Sequence, residues 1–269
     1  MPVIALVRTA YAYVLHEQGR LVRLALPWIA IAYAVGLLGN LLGGASIRVG
    51  WTAAGIINWF GYSAVAVAWL RHLVLGEPWP RWMAPVTPFV LRFMFATVLL
   101  VLLVAVPTAL VAALLSLVLG ALLGPQAGGS AALVLALGLG LWAYVHLIFL
   151  PFSRAVGERL DLAACYRLVK GRALPLLFGF LLAVLPLMLV AALGASMLAA
   201  LLPLAEGEAR LPSEGGPPSP GGVLVDLLML AASYADAAIT ASFLAGAYVQ
   251  LIRPGDPPPP ARHFGQSSP

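Results

Sequence analysis

Long apolar runs alternate with short polar segments along the whole chain, and the runs set the number of helices. They fall at about Leu24–Gly44, Trp51–Leu70, Phe93–Leu123, Ala131–Leu150, Ala173–Leu202 and Val223–Ile252. Crossing the ~30 Å hydrocarbon layer takes about 20 apolar residues in a helix, so each run is long enough to span. The pattern predicts an all-α, polytopic membrane protein with six transmembrane helices. The Phe93–Leu123 run would form ~46 Å of helix, so it must tilt, kink or project, with Pro107 as the natural kink point. Pro186 occupies a similar place in the fifth run.

The segments between the runs read differently. Residues 3–17 have helical rather than spanning character, with Val3, Ile4, Val7, Ala10, Tyr11, Val14 and Leu15 on one face and Thr9 and His16 opposite. This predicts an amphipathic helix in the membrane interface, within a cytoplasmic segment 1–23. The Pro- and Trp-rich stretch around Trp79 and Trp82 cannot be a continuous helix and reads as an interfacial loop. Residues 124–130, G-P-Q-A-G-G-S, predict an uncharged turn, 204–222 a flexible acidic loop, and 253–269 a disordered Pro-rich cytoplasmic tail. Gly39 and Gly43, four apart, offer a close helix approach, and Asn40 beside them a hydrogen bond across the interface.

Charge then orients the chain. The stretch Leu150–Pro175 alone holds Arg154, Glu158, Arg159, Asp161, Arg167, Lys170 and Arg172. Thirteen of the fifteen Lys and Arg residues fall on one side of the predicted membrane, leaving Arg48 and Arg210 on the other. By the positive-inside rule both termini are cytoplasmic. The net charge of +5 does not indicate nucleic acid, because the basic residues sit at span ends rather than along one face. A hydrophobic content of 62 % and a charged content of 9 % exclude an ordinary soluble domain. The one cysteine, Cys165, excludes an internal disulfide, and the N-terminus does not read as a signal peptide.

Aligning Pro107 with Pro186 superposes L-V-A-A-L (110–114) on L-V-A-A-L (189–193), and Y-V-L-H-E-Q-G-R (13–20) is similar to Y-R-L-V-K-G-R (166–172). The pattern admits a repeat of one cytoplasmic segment plus a two-helix hairpin, used three times, although Ala/Leu-rich helices also match by chance. The run L-P-F-S-R-A-V-G-E-R-L-D-L-A-A-C-Y-R-L-V-K-G-R, leading into a long apolar span, and the closing A-Y-V-Q-L-I-R carry a resemblance. They resemble a family of six-span bacterial inner-membrane proteins of unassigned activity. That family is similar in turn to the membrane region fused to some glycerophosphodiester phosphodiesterases. The resemblance implies architecture and a bacterial inner membrane; it carries no catalytic residues, and the phosphodiesterase domain itself is absent.

Candidate chemistry is sparse. Asp236 lies mid-span, where a carboxylate costs ~2.5–3.5 kcal/mol to insert. Asp226, Ser233, Thr240 and Gln250 share its sector of the helix, and Asn58, Tyr62 and Ser63 of the second span lie at matching depth. The seam Asp236, Ser233, Thr240 and Asn58 reads either as a cation- or proton-binding path or as polar packing. Lacking a second intramembrane acid or base at that depth, packing is the favoured reading. His146 has no nearby acidic or cysteine ligands and reads as a packing or interfacial residue, and His72 beside Arg71 as a span-end residue, so no metal site, catalytic residue or cofactor is expected. No phosphate-cradling loop, zinc-protease motif or nucleophile elbow occurs. The expected function is a non-enzymatic membrane component that binds lipid or an unidentified protein partner. Arg154, Arg159, Arg167, Lys170 and Arg172 would meet anionic head groups. The alternative is a small-molecule carrier or permease subunit built around Asp236.

Overall fold

The computed structural model describes residues 3–43, 46–201 and 220–252, and every regular element in them is helical. In chain order the helices are α1 (Val3–His16), α2 (Gln18–Leu42), α3 (Ser46–Leu75), α4 (Pro88–Leu123), α5 (Pro125–Leu147), α6 (Phe149–Val156), α7 (Leu162–Val169), α8 (Ala173–Leu201) and α9 (Pro220–Ile252). Six candidate spans are long and apolar enough to cross a membrane: α2, α3, α4, α5 running on through α6, α8 and α9. The chain is a multi-pass membrane protein. Of the expected acidic loop 204–222, residues 220–222 belong to α9 instead, and the rest, like the tail 253–269, lies outside the described residues with Arg210, Arg253 and Arg262.

The spans pair as the antiparallel hairpins α2–α3, α4–α5 and α8–α9, each packed along its length. α9 lies at the centre, against α8, α3, α2 and α1, while α4 reaches the rest through α6 and α3. Inside hydrocarbon no hydrophobic force drives helices together, so packing and small residues decide where backbones touch. In α2–α3 a Cβ on Gly39 would sit 2.8 Å from the Gly50 Cα and 2.8 Å from the Ser46 carbonyl oxygen. The close approach is therefore Gly39 against Gly50; a Cβ on Gly43 would meet nothing within 4 Å, and that glycine closes the helix at φ 68°. Asn40 does bond across the hairpin, accepting from the Trp51 Nε1 at 2.9 Å.

Several boundaries move. The turn expected over 124–130 shrinks to Gly124, whose φ of 87° reverses the chain before Pro125 opens α5 at its first position. Proline fits there because its missing N–H would have no helical partner. α4 starts at Pro88, five residues before its apolar run, and runs helical through Pro107. The charged stretch after residue 150 forms two short helices. Gly157, left-handed at φ 88°, ends α6, and Asp161 caps α7 by accepting the Ala164 N–H at 2.6 Å.

α1 forms over the expected residues, but its buried stripe is Leu6, Ala10, Tyr13 and Val14, while Ile4 and Leu15 are exposed. The stripe is set by its neighbours α8 and α9 rather than by a flat interface. Tyr11 donates to the Ala183 carbonyl at 2.7 Å, and Tyr13 meets Trp69 edge-on. The Pro-rich segment 76–87 also tucks inward: Ala84 is fully buried and accepts the Trp28 Nε1 at 3.0 Å, and Trp79 stacks on His72. The densest packing thus gathers at the end that carries Arg20, Arg71, Arg92 and Arg154. Elsewhere the bundle is thin: only 6 % of the most apolar window of α4 is buried.

Candidate functional site

The arginine-rich end contains a groove of about 480 Å³ between the start of α4 and the end of α6. Arg92, Arg154 and Arg159 line it with Glu158, beside the apolar wall of Leu91, Phe95, Leu99 and Leu150. Local folding explains why the charges converge. Pro88 starts α4 early enough to put Arg92 one turn inside the helix. Gly157 then folds the chain back, its N–H and that of Glu158 both donating to the Ser153 carbonyl, so Arg154 and Arg159 flank one turn. Glu158 is engaged from the other side, because its carboxylate accepts the Tyr248 hydroxyl of α9. Among the described residues none of the three arginines forms an ion pair; Arg92 lies 5.7 Å from the centre of the Phe89 ring. The groove is therefore a fork of cationic donors above an apolar wall.

Of the expected lipid contacts, Arg154 and Arg159 line this groove. Arg167, Lys170 and Arg172 do not: they are exposed on α7 and the turn after it. Arg92 joins the groove although its sequence context marks it only as a span-end residue. Its position depends on how α4 meets α6, which periodicity does not encode.

The polar seam of α9 divides into three. Asn58 and Ser233 meet Asp226 in a lateral groove of about 350 Å³ between α2, α3 and α9. There the Tyr33 hydroxyl lies 3.4 Å from Asp226 Oδ2, and Ser233 donates to its own helix at Leu230. Thr240 instead faces a separate central cavity with Ser63. Asp236 lies between these places, in electrostatic contact with Tyr11, Tyr62 and Tyr144, and its buried Oδ1 has no hydrogen-bond partner. Tyr62, expected at this depth, interacts electrostatically with the carboxyl, as do Tyr11 and Tyr144, which the sequence pattern does not single out. His146 packs between Trp142 and Tyr166, with its Nδ1 2.9 Å from the Trp142 carbonyl oxygen. No protein-family model, curated protein or solved structure matches the chain.

Proposed function

We propose that this protein is a non-enzymatic component of a bacterial inner membrane that holds an anionic phospholipid at the Arg92–Arg154–Arg159 groove. Both termini lie on the cytoplasmic side in this reading. The observation that carries it is the junction of three arginines, free of ion pairs among the described residues, with an apolar wall. A phosphate takes charge-assisted hydrogen bonds from guanidinium groups, while an acyl chain runs along Leu91, Phe95 and Leu99 of α4. Leaflet charge supports the same end of the bundle, since basic residues gain about 1 kcal/mol each near anionic lipid. Arg167, Lys170 and Arg172 add attraction to the leaflet without shaping a site.

The test is native mass spectrometry of the protein exchanged into discs of mixed anionic and zwitterionic phospholipid. Each of Arg92→Ala, Arg154→Ala and Arg159→Ala is expected to weaken retention of the anionic lipid about fivefold, the equivalent of ~1 kcal/mol. Arg167→Ala changes it little, and zwitterionic retention is unaffected by all four. Equal loss from all four variants would reduce the groove to general surface charge and overturn the reading.

A further inference from the structure

Half of the serine and threonine hydroxyls in the described membrane helices bond to their own backbone. Thr97, Ser116, Ser130, Ser153, Ser196 and Ser233 each donate to a carbonyl three or four residues earlier. That is the usual way to satisfy a hydroxyl where no water is present. Ser63 and Thr240 depart from it. The Ser63 residue is 1 % exposed, and neither its Oγ nor the Thr240 Oγ1 has any hydrogen-bond partner. Both line one cavity of about 120 Å³ at the meeting of α3, α4, α5, α6, α8 and α9. Tyr62, Thr97 and Tyr144 complete its polar lining, within rings such as Phe93 and Phe180.

Apolar cavities stay dry, whereas a cavity filled by water needs two to four polar partners per molecule. This one offers five hydroxyl-bearing side chains, two of them with a buried oxygen that has no partner, and at ~30 Å³ each it has room for about four waters. Asp236 is one helical turn before Thr240, and Tyr62 of α3 and Tyr144 of α5 line the cavity. We propose that this cavity is a hydrated site inside the membrane domain, with water bonded to Ser63 and Thr240, one helical turn from Asp236. It is separate from the arginine groove and does not depend on lipid being bound there.

Pulsed X-ray hydroxyl-radical footprinting of the full chain in lipid discs tests this, because radicals form from bound water and modify the side chains next to it. Tyr62 and Tyr144 are expected to be modified in the native protein, as exposed Trp82 is, while fully buried Phe149 is not. Ser63→Leu fills the cavity and should abolish modification of both tyrosines while leaving Trp82 unchanged. Should that variant fail to fold, the paired Ser63→Ala and Thr240→Val substitutions remove both unbonded hydroxyls at nearly constant volume, and the same loss is expected. Native Tyr62 and Tyr144 as inert as Phe149 would mean a dry cavity and overturn the proposal. Modification that persists in the folded variants would overturn it equally, since the water would then have another source.

Discussion

The Arg71 guanidinium bonds both carboxylate oxygens of Glu77, donates to the Ala155 carbonyl at 3.0 Å and lies 3.8 Å from the centre of the Phe89 ring. It thereby ties the end of α3 to the Pro-rich segment, to α6 and to the first turn of α4, which forms one wall of the arginine groove. Its side chain is 15 % exposed and that of Glu77 43 %, so solvent screens the Glu77 side of the pair. The bond to Ala155 and the ring contact are the better protected. Arg71→Met keeps the apolar stem and removes the charge; it is expected to cost about 2 kcal/mol, a typical value for hydrogen bonds from a charged group. Glu77→Gln should cost less, and thermal unfolding of both variants in one detergent reads the difference. Cys165 supplies a pH-dependent prediction at the same scale. Burial, reinforced by Asp161 and partly offset by Arg154, pushes its thiol from 9.0 up to about 11. The folded state therefore holds the proton more tightly than the unfolded chain. The resulting stability is complete below pH 9 and is lost as pH rises from 9 to 11. Alkylation needs the thiolate, so in the folded protein its rate should still be rising at pH 10, and denaturation should move that rise toward 9.

At the scale of elements, spans were legible and their mutual register was not. Length and apolarity locate six helices to within about six residues at their ends, and Asn40 beside glycines announced its bond across the hairpin. Periodicity fails for α4, α5 and α8 because they are apolar on every side, and a helix without a polar face carries no signal of which face packs. The convergence of Arg92 on Arg154 and Arg159, and of Tyr144 on Asp236, depends on that missing information. Misplaced stripes have the same origin: α1 buries Tyr13 and Leu6 because Trp69, α8 and α9 wait there, whereas a hydropathy wheel assumes a featureless membrane. The glycine contacts offer a direct check on helix register. A methyl on Gly39 would collide with the α3 backbone at 2.8 Å, while Gly55 has nothing within 4 Å of its Cβ position. Gly39→Ala should force α2 and α3 apart and lower the unfolding temperature. Gly55→Ala should leave it unchanged or raise it slightly, alanine being the better helix former. Equal effects at the two sites would contradict the Gly39–Gly50 crossing.

For the whole molecule, the distribution of charge and the distribution of packing agree on one end. Arg20, Arg23, Arg71, Arg81, Arg92, Arg154, Arg159, Arg167, Lys170 and Arg172 all belong to segments at the end where α1, α6, α7 and the Pro-rich stretch crowd together, and Arg48 sits at the opposite end. Basic residues near span ends are retained in the cytoplasm, so the packed end should face inward and the sparse α4–α5 tip outward. Because Cys165 is the only cysteine, a Cys165→Ala chain gives a clean background for placing single thiols. Gln126, exposed at the start of α5, and Lys170, exposed after α7, mark the two ends. With a reagent that cannot cross the membrane holding the protein, Gln126→Cys is expected to react in intact cells or spheroplasts and Lys170→Cys only after lysis. The reverse pattern would turn the molecule over and place the arginine groove in the outer leaflet. Anionic lipid retention by that groove would then have to be explained without the charge of the cytoplasmic leaflet, and the effect of Arg154→Ala on it should shrink to the direct phosphate contact.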